Sequence, residues 1–449
     1  MGGLVYPGPA RLVERGTSLT SVRLHPPSLL GSWIALTKAA AMLVRLLISS
    51  LAALAGASPL TGKKLIAPRN LTQSWEMLPT GSAQQFRGLS PVSDKIAWVS
   101  GTGGTVLRTV DGGASWEPVG PELADADAEL QFRDVRAFSA EKAIILSIGE
   151  GADSRIYITA DGGGSWTQTF SNTEPAAFYN CVDFEDDERG IAVSDPVGGS
   201  FRLIETVDGG DSWHIVDPGG MAPALQGEFG FAASGTCIST AAGRWYLASG
   251  GVDPGRVFRS PDGRRWEASA SAVAGGASAG VFSVRFRDAR HGIATGGDFN
   301  AANASAHTSA WSDDGGETWT ASDVFPGGYR SGASWAPGLC GVAVAVGPSG
   351  SDITLDGGRT WKTFDTGSFD SVECLPSRVC WASGSAGRVG KLTLNRSVAC
   401  RETPLGFQIL GNDQETKSAI RSSLESRNPL VENALMCLAR FSKHGEEMR

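Results

Sequence analysis

Residues 109–116 read TVDGGASW. The chain repeats the pattern five times: TADGGGSW from 159, TVDGGDSW from 206, SPDGRRW from 260, SDDGGETW from 312 and TLDGGRTW from 354. The starts lie 50, 47, 54, 52 and 42 residues apart. One acidic residue in a glycine cradle could be a reactive site. Six copies at a near-constant spacing are instead the mark of an architecture. A period of about 50 residues in a strand-rich chain suits β-propeller blades of four strands each. Each box is then the hairpin between the third and fourth strands of a blade. The glycines supply the positive φ that tight hairpins demand. The carboxylates of Asp111, Asp161, Asp208, Asp262, Asp314 and Asp356 accept turn N–H groups. Each tryptophan buries its ring while its N–H seeks an acceptor. SPDGRRW is one residue short, so a deformed turn is expected around Asp262.

A second series sets the blade count. Aromatic residues recur upstream of the boxes at Phe86, Phe132, Phe178, Phe229, Phe282, Tyr329 and Phe369, giving seven units against six boxes. The seventh unit, 368–395, has three strands and no box. SWEML at 74–78 resembles the strands that follow the boxes, so it is expected to return as the outer strand of blade seven. The expectation is an all-β, seven-bladed propeller over 74–395, closed by that N-terminal strand, which leaves no free sheet edge.

The flanks read differently. From Met42, Arg45 precedes the apolar run Leu46–Leu54, and Ala55-Gly56-Ala57 has a small-x-small cleavage pattern. Residues 42–57 are therefore expected to be a secretory signal. The run is too short for a stable membrane span, which needs about 20 residues. Residues 1–41 read as an extension typical of an over-extended gene model, and 400–449 as a poorly ordered tail outside the repeat register. Secretion agrees with three glycosylation sequons, at Asn70, Asn303 and Asn395. It also agrees with disulfide pairing among the seven cysteines. CLPSRVC places Cys374 and Cys380 across a tight hairpin, and these two are expected to pair. The pairing of Cys181, Cys237, Cys340, Cys400 and Cys437 is left open. A net charge of −8 argues against nucleic-acid binding.

The box pattern resembles the Asp-box, or BNR repeat, of the wider sialidase-like propeller group. The strings FRGLS, AWVSGTGGTVLRTVDGGASW and VAVGPSGSDITLDGGRTW resemble the photosystem II assembly/stability factor-like propellers more specifically. The resemblance covers about 74–395. It implies a scaffold that holds a partner on one face of the propeller, through an arginine patch among other groups. No feature of this sequence points to a thylakoid, and the box itself carries no activity.

In a propeller the loops leading into each first strand share a face with the loops between strands two and three, opposite the boxes. The residues after the seven aromatics are Arg87, Arg133, Tyr179, Gly230, Ser283, Arg330 and Asp370, with Glu228 just before Phe229. The ligand-binding set expected at the channel mouth is Arg87, Arg133, Arg330 and Glu228, since arginine forks suit carboxylates. The bland alternative is that these groups tie blades together by ion pairs. The enzyme reading is a sialidase-like glycosidase, with Tyr179, Glu228, Asp195 and Asp298 as candidate catalytic groups. It lacks the Phe/Tyr-Arg-Ile-Pro motif of sialidases, which also have six blades. No histidine spacing suits a metal, and no dinucleotide fingerprint occurs. The residues thus favour a monomeric, secreted binding or assembly scaffold, without cofactor or metal, whose ligand is a protein or glycan at the channel mouth. A glycan hydrolase or glycan-binding propeller is the alternative.

Overall fold

The computed structural model describes residues 74–394. The expected signal segment, Asn70, Asn395, Cys400, Cys437 and the C-terminal tail lie outside the described residues. Within them the chain forms seven four-stranded antiparallel sheets, each built from consecutive strands except the last. The first strands of the blades are Phe86–Pro91, Gln131–Ala137, Tyr179–Phe184, Ile238–Ala241, Ala279–Phe286, Gly332–Trp335 and Ser371–Cys374. Each touches the next, and the seventh touches the first, so the ring is closed around a central channel.

Closure is made as the repeat count requires. Blade 7 consists of Ser371–Cys374, Val379–Ser383 and Val389–Thr393, completed by Glu76–Met77. Glu76 lies opposite Lys391, and Met77 opposite Gly390. Trp75 is buried here and donates its indole N–H to Ser351 Oγ in blade 6, at 3.0 Å.

The core is divided into slabs between neighbouring blades. Phe86, Val99 and Leu107 of blade 1 pack with Trp381 and Val389 of blade 7. Val344, Val346 and Ile353 of blade 6 pack with Phe369, Val372 and Leu392 of blade 7. Middle strands such as Ala343–Gly347 are therefore buried throughout, whereas the outer strands Glu117–Pro118 and His214–Ile215 are exposed. Such two-sided burial explains the continuous apolar runs of the inner strands.

The boxes are hairpin clasps. Thr109 Oγ1 donates to Asp111 Oδ1 at 2.9 Å and accepts from Gly113 N at 2.9 Å. Ser115 donates from its N–H to Asp111 Oδ1 (2.9 Å) and from its hydroxyl to Oδ2 (2.6 Å). The same four bonds recur around Asp161, Asp208, Asp314 and Asp356. These donors, the Ser115 hydroxyl first, hold the Asp111 carboxyl down at about 2. At the short fourth box the backbone N–H groups of Arg264 and Arg265 both reach Asp262 Oδ1, and the Arg265 guanidinium replaces the missing hydroxyl. The tryptophans need a correction. Trp166 donates to Val119 O and Trp266 to Gly263 O, but the buried N–H groups of Trp116, Trp213, Trp319 and Trp361 meet no protein acceptor. Three of these four rings instead sit edge-on to Trp381, Phe184 and Phe286. Ring packing, more than the N–H, fixes their position.

Two disulfides join pairs of described residues in the inner strands. Cys374 and Cys380 face each other across the blade 7 hairpin and are bonded, as the spacing suggests. Cys181 of blade 3 is bonded to Cys237 at the start of blade 4.

Blade 4 departs from the aromatic ruler. Phe229 still bridges Gly250, as a strand-leading residue should. The strand proper, however, begins at Ile238 opposite Leu247, so nine steps along one strand face three along the other. The extra chain, 230–237, enters the channel. Ala232 O accepts from Arg133 of blade 2, and Phe231 O lies 3.7 Å from Cys181 Sγ of blade 3. Thr236 O accepts from Val284 N of blade 5. Ser234 Oγ donates to Ser331 O of blade 6, and Ser234 O accepts from Ser371 of blade 7. One insertion thus plugs the channel and touches five other blades.

Candidate functional site

The plug turns the channel mouth into a floored bowl. The inner strands of blades 1, 2, 3 and 5 each carry a bulge where they enter it, placing Arg87, Arg133, Asn180 and Phe282 at equivalent positions. A bulge re-aims one side chain out of the ladder. Asp370 stands at the corresponding place in blade 7, its N–H bonded to Ser383 O.

Arg87, Arg133 and Asp370 are brought together. Arg87 Nε lies 3.9 Å from Asp370 Oδ1, and Gln85 Nε2 donates to Asp370 Oδ2 at 2.9 Å. Arg133 spends its fork on Gln131 Oε1 (2.6 and 3.1 Å) and on the plug carbonyl of Ala232 (3.2 Å). Arg87 Nε is buried and makes no hydrogen bond. Burial, then the neighbouring Arg87 charge, pulls the Arg133 guanidinium down to about 10, with Asp370 opposing. Burial pushes the Asp370 carboxyl up, against Arg87, Gln85 and Arg133. Arg87 therefore faces the Asp370 carboxylate while Arg133 is held by Gln131 and the plug, and Arg87 retains donor capacity suited to an added carboxylate.

Aromatic groups adjoin this pair. Phe231 of the plug stacks on Phe282 at 3.6 Å, and Tyr329 meets Phe282 at 4.6 Å. Tyr329 is buried, and its hydroxyl is pushed up by burial and by Asp370, with Arg87 pulling it back down. Phe229 packs on this cluster.

The remaining expected site residues do not join. Arg330 is 0% exposed and paired to Asp352 Oδ2 at 2.5 Å, with further bonds to Tyr329 O and Ser349 Oγ. Its N–H donates across to Gly296 O of blade 5. That is the same blade-to-blade bond that Phe86 N makes to Gly384 O and Phe369 N to Gly347 O. Arg330 therefore fills the place of the aromatic residue in its blade, one step out of the expected register, and ties blades together. Ser283 is likewise one residue past the bulge at Phe282, and is fully buried. Tyr179 takes the pre-bulge position in blade 3 and packs on Phe170 in the slab between blades 2 and 3. Burial pushes its hydroxyl up, away from nucleophilic use. Glu228 is consumed by Arg256, Ser249 and the Leu225 N–H. Asp195 accepts from Asn180 Nδ2 and Gly230 N, and its carboxyl is raised by burial. Asp298 accepts from Ser278 and the Asn300 N–H. The sialidase-like set is thus dispersed among separate structural duties. Asn303 is exposed on the loop that also carries Phe299.

Sequence reasoning missed the plug and Phe231. The signal for them was the 54-residue spacing between the third and fourth boxes, the longest in the chain. Among the described residues no group of three or more His, Cys, Asp or Glu is placed to hold a metal ion. No helix among them is long and apolar enough to cross a membrane.

No family model matches the chain. The photosystem II stability/assembly factor HCF136, chloroplastic, of Cyanidioschyzon merolae is 36% identical over 100 residues, covering 21% of this chain and 23% of that protein. The match thus spans about a quarter of the curated relative. A solved structure of YCF48 bound to D1 peptide aligns with a TM-score of 0.51 at 16% identity, over 73% of this chain and 99% of that one. YCF48 from Cyanidioschyzon merolae aligns at 0.49 and 18% identity, over 71% and 99%. The chain is similar to the photosystem II assembly factor-like propellers, and with the structure of YCF48 bound to D1 peptide it shares a fold.

Proposed function

We propose that the chain is an exported binding or assembly scaffold that holds a segment of a protein partner at its channel mouth. Arg87 and Arg133 read a carboxylate of that segment. The observation that carries this reading is the placement of Arg87 and Arg133 at equivalent bulges of adjacent blades, with Arg87 beside Asp370 and its side chain still 25% exposed. The plug supports it, because a floored bowl receives a chain segment where an open channel would not. One structure of similar fold is that of YCF48 bound to D1 peptide, a protein ligand. The hydrolase alternative has no support in the geometry, since Tyr179, Glu228, Asp195 and Asp298 are each engaged elsewhere.

The test is selection of a randomised dodecapeptide library, displayed with free C-termini, against the full chain. Acidic or carboxylate-terminated sequences should be enriched, and Arg87→Met/Arg133→Met should abolish the enrichment. No enrichment, or enrichment unchanged in the double variant, overturns the reading. Export is tested separately, by N-terminal sequencing of protein recovered from the medium, with cleavage expected after Ala57.

A further inference from the structure

Phe299 is 48% exposed although it lies against an otherwise buried aromatic cluster. It follows the second strand of blade 5, on the loop side of the mouth. Its ring sits edge-on to Phe231 (6.4 Å) and to Phe282 (6.3 Å). These two stack face to face, and Phe231 is also edge-on to Phe229. The shelf is held rigidly. The Phe299 N–H donates to Ser278 O, and the same loop accepts the Tyr329 N–H at Ala302 O. The Asp298 side chain caps the short turn through Asn300 N. An exposed ring on a backbone fixed in this way has less conformational entropy to lose on binding, which favours an anchor.

The shelf is continuous with the arginine pair. Phe231 precedes Ala232, whose carbonyl fixes Arg133. Tyr329 touches Phe282 on one side and feels the charges of Asp370 and Arg87 on the other. Phe299 is thus the exposed end of a packed cluster whose buried end adjoins the residues around Arg133.

We infer that Phe299, backed by the buried pair Phe231 and Phe282, forms an apolar subsite that accepts one aromatic or large aliphatic side chain of the partner segment, a few residues from the carboxylate held by Arg87 and Arg133. The inference rests on the proposed scaffold reading and adds the second half of its specificity. The occupant is a peptide because the two subsites differ in kind. A carboxylate and an apolar side chain on one flexible strand satisfy both. Phe299→Ser removes the exposed anchor and leaves the buried stack of Phe231 and Phe282 in place.

The same dodecapeptide selection decides the matter, read at a different position. With the wild-type chain, Phe, Tyr, Trp, Leu or Met should be enriched at one fixed distance from the selected carboxylate. With Phe299→Ser that preference should fall about tenfold while selection for the carboxylate persists. Carboxylate selection without an apolar position, or an apolar preference unchanged in Phe299→Ser, overturns this inference and leaves the scaffold reading standing. No selection at all overturns both. A concentration-dependent dimer in sedimentation that Phe299→Ser dissociates, without peptide selection, would assign the shelf to a second copy of the chain and also overturn the inference.

Discussion

Asp352→Ala offers the sharpest test of how the ring is held. Arg330 and Asp352 are 0% exposed, and the guanidinium depends on this one carboxylate for its charge. Asp352 also accepts from Thr363 Oγ1 at 2.5 Å and from Gly327 N at 3.1 Å. Removing the carboxylate leaves a buried cation without a counter-charge, which costs about 3–5 kcal/mol. The reverse change, Arg330→Met, leaves a carboxylate that keeps two hydrogen-bond donors, so its cost should be smaller. The double variant Arg330→Met/Asp352→Ala removes both charges, and a coupling of at least about 2 kcal/mol should appear in the double-mutant cycle. For a fold of about 320 residues, at roughly 2.1 cal/mol/K per residue, each kcal/mol moves Tm by about 1.5 °C. Asp352→Ala should therefore lower Tm by about 5–7 °C, read by circular dichroism melts alongside urea titrations. The peptide selection should survive in every variant that folds, since Arg330 does not face the mouth. A single-variant cost below about 1 kcal/mol, or additive effects in the cycle, would refute the assignment of Arg330 to blade-tying.

Further perturbations bear on other parts of the ring. Gly113 has φ +90°, and a Cβ there would lie 2.5 Å from Leu78 Cδ1, so Gly113→Ala should destabilise the seam by more than about 1 kcal/mol. It should also speed proteolysis near residue 77; unchanged cleavage would show that the box does not brace the closing strand. Asp134 is fully buried, accepts from Val182 N and its own neighbour Val135 N, and burial pushes its carboxyl up to about 7. The unfolded chain ionises this group near pH 4, so its contribution to stability falls as pH rises from about 4 to 7. Asp134→Asn should thus compare better with wild type at pH 8 than at pH 4 in denaturant titrations, and a pH-independent difference would contradict the burial argument. The box carboxylates at Asp111, Asp161 and Asp208 are held down at about 2, so their stabilisation is complete above pH 4 and is lost as pH falls from 4 to 2. Asp161→Asn should flatten the acid limb of the stability profile. Replacing Cys181 and Cys237 together by serine should cost about 2–4 kcal/mol and make the plug open to hydrogen exchange; full protection of 230–237 would show that the bond does not anchor it.

The architecture was legible because it is written many times. Six boxes gave the blade period, and Ser74–Leu78 could be matched to the strands that follow the boxes. The closing strand and the Cys374–Cys380 bond followed from that register. The site was legible only where the ruler held. At Arg87, Arg133 and Asp370 the residue after the aromatic does reach the mouth. At Tyr179, Ser283 and Arg330 the ruler slips by one residue, and in a strand a slip of one moves a side chain to the opposite face. An aromatic-arginine pair at 329–330 reads like the pair at 86–87, yet only the ladder bonds to neighbouring blades tell them apart. The insertion at 230–237 was illegible for a different reason. Its small residues, two glycines, two alanines, a serine and a threonine, carry no period, and its place is set by partners drawn from five other blades.

That insertion gives the molecule a hub. A ring of blades joined only at its rim can distort from a circle to an ellipse by small rotations at each slab. With chain at the axle tied outward to blades 2, 5, 6 and 7 by hydrogen bonds and to blade 3 by the Cys181–Cys237 bond, any such rotation strains several links at once. The ties that oppose such distortion meet at the centre, beside Arg133 and Phe231.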